Sequence, residues 1–447
     1  MEQKHAVVVG AGLARLAAAI ELADAGHRVR VFEAAGQVGG RTSSWVQDGM
    51  EVESGLHRYL GFYTALPRLI RHVGKRLDDV VVWEDEIEIL TPDGGPRAVF
   101  GASMVHKPVT SIAEALGNTH FLPAGQKLAL GRMLAAGVKD YLRDPAGLDE
   151  RTVTDYAREH GVSDEIIFRI LVPLTQGLFF VPPEQYSMHN FMGLMVPHWD
   201  SAVLARVGAF TGGMTEVLTG PMALYLRSQG AEVRTGAPVD ELIVEGGRLI
   251  GVRVAGERVE ADVVVLAASI GPAQQLVAEQ FSGHPFFEDF LELSYTPSVG
   301  LQFELSEPLM PVDRATFGPG TLFASFSEQS RTTFRQAQGR VSVICANPQQ
   351  HIDTDVEELA EIAYDDATRL GLDIRSRVTR VRKVSIPSDF YSLEPGNEAL
   401  RPGQDTPVPG LVLAGDYTQQ KYLATMEGAV VSGQLAAEAA MRTHLSA

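Results

Sequence analysis

The 447-residue chain has one cysteine, Cys345. A single thiol excludes an internal disulfide and a cysteine-rich metal cluster, and it fits a reducing compartment. Its setting, Val341-Ser-Val-Ile-Cys345, reads as a buried strand with an inert thiol. Basic charge is also short: 38 Lys and Arg stand against 56 Asp and Glu, a net charge of −18. That balance excludes nucleic acid as a partner and speaks against simple electrostatic attachment to an anionic membrane. Long uncharged apolar runs are missing as well. Arg15, Glu21 and Asp24 interrupt the apolar start, so it does not read as a signal peptide. Arg169, Arg206 and Glu216 break the longest later stretches before they could cross a bilayer. The expectation is a cytoplasmic protein without a transmembrane segment. His189 and His198 lack a supporting carboxylate pattern, and no metal is expected.

The length suits two or three structural units. Ala6-Val-Val-Val-Gly10-Ala-Gly12 is a strand followed by a glycine turn, residues 13 to 25 carry a helical pattern, and Arg28-Val-Arg-Val-Phe-Glu33 is the next strand. Gly10 permits the tight turn, and Gly12 lets backbone approach a diphosphate lying on the helix N-terminus. Glu33 is placed to accept hydrogen bonds from ribose hydroxyls. The third glycine of the usual G-x-G-x-x-G turn is here Arg15. Its guanidinium has two readings, bent to solvent or set against phosphate, and weakened but retained cofactor binding is the expectation.

Residues 66 to about 200 read as helices and loops without a β-α-β rhythm. Gly246-Gly247 marks a hairpin, Ala261 to Ala268 another buried parallel strand, and 297–305 with 340–346 strands of a different sheet. Leu411 to Ala414 returns the chain to the nucleotide unit, and a helix from about 426 closes it.

A second glycine loop, Gly39-Gly40-Arg41, follows Glu33 directly and offers N–H groups and a cation to an extended diphosphate. That points to a flavin rather than a nicotinamide. These residues, with Glu53-Ser-Gly-Leu-His57 and Leu413-Ala-Gly-Asp416-Tyr through Met426-Glu-Gly to Gly433, resemble the FAD-dependent phytoene desaturases of plant and cyanobacterial type, within the flavin amine oxidase and protoporphyrinogen oxidase superfamily. The likeness is looser across 66–200 and 281–404. It implies an α/β two-domain flavoprotein: a Rossmann-type FAD domain from 1–65, 205–280 and 405–447, and a mixed α+β substrate domain from 66–204 and 281–404. It also implies that Gly39, Gly40 and Arg41 run along diphosphate and flavin. Gly55, Leu56 and His57 would lie beside the isoalloxazine, Val239 would meet adenine through its backbone, and Gly415 with Asp416 would hold diphosphate or ribityl groups. Met426 opens a helix whose positive end can stabilise charge near N1 and O2 of a reduced flavin.

The flavin would supply the redox chemistry, so few catalytic side chains are required. Desaturation of an apolar isoprenoid asks for a tunnel, which Phe179, Phe180, Phe191, Met192, Leu194, Met195 and Trp199 could line. The same stretch also reads as packed core or as a shallow membrane contact for collecting a lipid. His57 is a weak candidate acid or base. The competing reading is a flavin amine oxidase in which Tyr59, Tyr63 and Tyr422 form a cage. Isomerisation or dehydroxylation of an isoprenoid and a flavin binder without catalysis also remain open, as does the electron acceptor, oxygen or a quinone.

Overall fold

The computed structural model describes residues 4–84, 86–101, 121–196 and 206–445. Strands His5–Val9 and Arg28–Phe32 flank the helix Leu13–Asp24, as the local pattern requires. They lie inside a five-stranded sheet in the order 232–234, 28–32, 5–9, 263–266, 411–413. All four pairings are parallel. Ala6 and Val8 face one core, shared with the first helix and the last, Met426–Thr443, while Val7 and Val9 face a second core under the hairpin sheet and the helix Ile270–Phe281. Burial on both faces explains why the strand is a run of valine rather than an alternation. The first and last helices approach closely at Gly433, where a side chain would collide with the Ala14 carbonyl.

The second large sheet has seven strands in the order 378–391, 295–305, 339–345, 323–328, 315–317, 86–90, 97–101. It is antiparallel apart from the 315–317 and 86–90 pair. The helix Val356–Arg369 covers one face of it. Cys345 is buried in this sheet, and burial pushes its thiol up to about 12, in keeping with an inert strand cysteine.

The stretch read as helices and loops does contain Ala124–Arg143 and Val153–Glu159 as helices, but it also holds strands Val81–Glu84, Glu86–Leu90 and Arg97–Gly101. The last two join the seven-stranded sheet. Acidic residues hid them: Glu88 is buried in the middle of Glu86–Leu90, and its charge is matched by Arg97 and Arg314, which approach from elsewhere.

Candidate functional site

The first helix begins at Leu13 with Gly12 in extended conformation as its N-cap and no side chain capping it, which leaves the first-turn N–H groups facing the turn. Glu33 is locked in place, its carboxylate accepting from Ala11 N at 2.6 Å and Ala35 N at 2.9 Å. Its carbonyl accepts from Ala237 N at 2.8 Å, which brings the start of the hairpin, Val239, to the same end of the site. Gly39 N donates to Ala11 O at 2.7 Å, so the second glycine loop lies directly on the first.

Arg15 does not reach solvent. Its side chain is buried and folds back over the glycine turn, with Nε donating to the Ala267 carbonyl. A Cβ added at Gly10 would run into this side chain, and one at Gly12 would lie 2.9 Å from Nη1. Gly40 faces the same guanidinium. The solvent reading of Arg15 is therefore corrected: the guanidinium sits in the cradle that the glycines keep open. Burial lowers its pKa, opposed chiefly by Glu33.

Arg41 reaches across the cavity to both carboxylate oxygens of Asp416, one at 3.1 Å, and its Nε lies 3.6 Å from Oδ1 of Asp389. Burial works against its charge, but the two acids outweigh it and hold the guanidinium protonated. The Asp416 turn is clamped from behind by Arg401, fully buried, which donates to the carbonyls of Asp416 at 3.2 Å and of Thr418. Gly415 N is held by Ser432 Oγ at 2.6 Å. His57 Nε2 meets the Arg41 carbonyl at 2.8 Å, and burial pushes the imidazole down to about 4 despite the carbonyls of Arg41 and Gly55. His57 is therefore neutral at physiological pH and a poor base.

One cavity of about 440 Å³ connects these groups. Gly12, Arg15, Gly39, Arg41, Gly55, Leu56, His57, Gly415, Asp416 and Met426 line it, whereas Gly10, Gly40, Glu33 and Val239 do not. Its other half is apolar, walled by Leu174, Phe179, Phe180, Phe191, Leu194, Met195 and Phe390. Phe180 takes left-handed backbone, φ 66°, at the end of the helix Val172–Phe179, a strained placement that aims its ring at Phe390, 5.0 Å between centroids. Met192 is buried but is not part of the cavity wall, and Trp199 and His198 lie outside the described residues. His189 stacks on Tyr141 at 4.9 Å, and no group of metal-binding side chains occurs among the described residues.

The tyrosine cage does not form. Tyr63 lines the cavity, but Tyr59 is core, edge-on to Tyr63, Trp83 and Phe210. The Tyr422 hydroxyl lies 3.2 Å from Thr64 Oγ1.

The model of the flavin containing amine oxidoreductases matches residues 13–441. The chain belongs to that family. Its cofactor is FAD. Among curated relatives, the 15-cis-phytoene desaturase of Solanum lycopersicum is 27% identical, covering 98% of this chain and 78% of its own length. A probable zeta-carotene desaturase of Synechococcus elongatus is 28% identical over 97% of both chains. Two solved structures share the fold: an oxidoreductase from Methanosarcina mazei (TM-score 0.76, 17% identity, 98% of this chain and all of that one) and the cyclohexylamine oxidase of Brevibacterium oxydans (TM-score 0.72, 17% identity, 98% of each). The family assignment bears out the α/β flavoprotein fold expected from the sequence.

The residues present fit this cofactor. They are the anchored Glu33, the paired glycine loops, Arg41 with Asp416, and the N-terminus of the helix at Met426, which Thr425 caps through Gly428 N at 3.1 Å. Arg15, which occupies the space at Gly10 and Gly12, must turn aside. Three residues that shape the site escaped sequence reasoning: Arg401, Glu427 and Asp389. Arg401 and Asp389 carry no local motif, and Glu427 lies inside a motif whose acid was given no role.

Proposed function

We propose that this flavoenzyme desaturates an apolar isoprenoid of the carotenoid-precursor type. The observation that carries the reading is that this one cavity passes from the glycine turns and Met426 into a wall of phenylalanine, leucine and methionine. An elongated hydrocarbon suits that wall. The phytoene and zeta-carotene desaturases among the curated relatives support the same substrate class.

In this reading FAD, when bound, accepts a hydride and so supplies the oxidation. The chain's own residues do the rest. Gly10, Gly12, Gly39, Gly40 and Arg41 hold the diphosphate, Glu33 the ribose, and Val239 the adenine side. Gly55, Leu56 and His57 form a wall for the flavin, Gly415 and Asp416 hold the ribityl or diphosphate end, and the helix at Met426 stabilises negative charge on the ring. The aromatic wall excludes water. We assign the cofactor domain to 1–65, 205–280 and 405–447, and the substrate domain to the segments between them.

A substrate of this kind partitions into lipid, and the helix Ala124–Arg143 is suited to meet it. It exposes Leu128 and Leu142 beside Arg132, Lys139 and Arg143, a leucine and cation face on an otherwise acidic protein. That pattern fits peripheral contact with a bilayer surface. No helix among the described residues is long and apolar enough to cross a membrane.

One experiment tests both parts. The holoprotein is mixed anaerobically with vesicles carrying carotenoid precursors or with soluble amines, and flavin absorbance and vesicle flotation are followed. Bleaching by the precursors and co-flotation are expected. Bleaching by amines alone overturns the desaturase reading, and protein that stays at the bottom of the gradient overturns the lipid contact.

A further inference from the structure

Desaturation removes two hydrogens from neighbouring carbons, and only one leaves as hydride. The other leaves as a proton and needs an acceptor inside a wall that excludes water. Four groups on that wall could in principle take it: His57, Tyr63, Asp416 and Asp389. His57 is held neutral with its pKa near 4. Burial drives the Tyr63 phenol far above its usual range, so it carries no anion to accept a proton. Both oxygens of Asp416 are engaged by Arg41.

Asp389 differs from all three. It lies on the long strand Val378–Tyr391, at the border between the charged and apolar halves of the cavity, next to Phe390. It is 6% exposed, and its Oδ1 has no hydrogen-bond partner among the described residues, the nearest cation being Arg41 Nε at 3.6 Å. We propose that Asp389 is the catalytic proton acceptor of this site, taking the proton that the substrate loses as its new double bond forms.

The inference rests on the desaturase reading. The bookkeeping of atoms is simple. One C–H bond gives up its hydrogen with both electrons to oxidised FAD. On the adjacent carbon the C–H electron pair becomes the second bond of the new alkene, and its proton passes to the Asp389 carboxylate. The proton then leaves to water when product departs, and a separate electron acceptor reoxidises the flavin.

The groups facing Asp389 set its strength as a base. Burial raises its pKa to about 6, opposed first by Arg41 from the second glycine loop and next by the Ser298 hydroxyl from strand Tyr295–Leu305, while Asp416 raises it further. The carboxylate is thus ionised at neutral pH yet far more basic than an exposed aspartate, as a general base should be.

The test compares wild type, Asp389→Asn and Asp389→Glu as FAD-loaded proteins. Anaerobic flavin bleaching by a carotenoid precursor is expected to slow by about 10²–10⁴-fold in the Asn variant and to recover most of that in the Glu variant. The wild-type rate should fall below about pH 6, and that limb should vanish in the Asn variant. Flavin content and chemical reduction by dithionite should be the same in all three. A second readout does not involve turnover: an infrared difference spectrum between pH 5 and pH 7 should show a carboxyl band that the Asn variant lacks. Asp389→Asn that bleaches at the wild-type rate, or a retained pH limb, overturns the proposal alone. Wild-type flavin that no precursor bleaches overturns the desaturase reading and this proposal with it.

Discussion

Arg15 shows how much one side chain can change at a site otherwise built to pattern. Gly10 and Gly12 leave open the cradle proposed for the diphosphate, and the Arg15 guanidinium fills it, tied to the Ala267 carbonyl. Cofactor entry must break this bond and move a buried cation. A hydrogen bond to a charged group contributes roughly 1.5–3 kcal/mol, and each 1.4 kcal/mol is a tenfold change in affinity. Arg15→Gly is therefore expected to bind FAD more tightly by about tenfold or more, measured by titrating the cofactor into deflavinated protein. Unchanged or weaker binding in the variant would mean that the displaced guanidinium pairs with the diphosphate strongly enough to offset its removal. The contrast with Arg41 is instructive: two acids neutralise Arg41, whereas the charges that support Arg15 do not overcome its desolvation.

Among the elements, the helix opened by Met426 serves two ends at once. Its N-terminus faces the cavity, while Glu427 in its first turn points away and is fully buried. The Glu427 carboxylate accepts from Thr64 N and Ala65 N, both at 2.6 Å, and from Leu66 N at 2.8 Å, so it caps the helix Ala65–His72 from another part of the chain. Removing it strands two buried N–H groups, those of Ala65 and Leu66, each worth roughly 1–3 kcal/mol, and leaves the partly buried one of Thr64 without its partner. Glu427→Ala should lower thermal stability by several degrees at least and release FAD, seen as free flavin fluorescence. A variant with wild-type melting would show that the cap is dispensable. The same helix marks what a sequence can disclose. Gly10, Gly12 and Glu33 were legible because their spacing along a strand, turn and helix is a local pattern. The role of Glu427 comes from backbone 363 residues away, that of Arg401 from carbonyls of a turn it reaches over, and that of Asp389 from meeting Arg41 of the second glycine loop. No spacing announces such contacts. Strand Glu86–Leu90 was missed for a related reason, since Arg97 and Arg314 neutralise its buried glutamate only once the fold exists.

At the scale of the whole molecule, a buried polar seam joins the strand Met50–Glu53 to the seven-stranded sheet. Gln302 spans it, its Oε1 accepting from Glu53 N at 3.1 Å and from Arg340 Nη2 at 2.5 Å, while Gln329 Nε2 donates to Glu53 Oε2 at 3.1 Å. Glu53 is almost wholly buried, and burial pushes its carboxyl up to about 7, against hydrogen bonds from Gln329 and Met214 N and the charge of Arg340, with Glu51 adding to the rise. The sign of the consequence follows from linkage. Between about pH 4.5 and 7 the folded protein holds a proton on Glu53 that the unfolded chain has lost, so stability falls as pH rises through this window. Asp389 acts in the same direction between about pH 4 and 6, whereas His57, neutral when folded, acts in the opposite direction between about pH 4 and 6.5. Above pH 6.5 the remaining contributions of these two oppose one another and fade, and of the three Glu53 makes the largest change. Glu53→Gln should therefore flatten the decline in melting temperature between pH 6.5 and 8 and gain stability relative to wild type across that interval, by roughly 1 kcal/mol, because a tenfold difference in proton affinity between folded and unfolded chains corresponds to about 1.4 kcal/mol. Melting curves of both proteins at pH 6.5, 7 and 8 decide it. Parallel declines would mean that Glu53 is ionised in the folded protein throughout and that Arg340 compensates its charge across the seam.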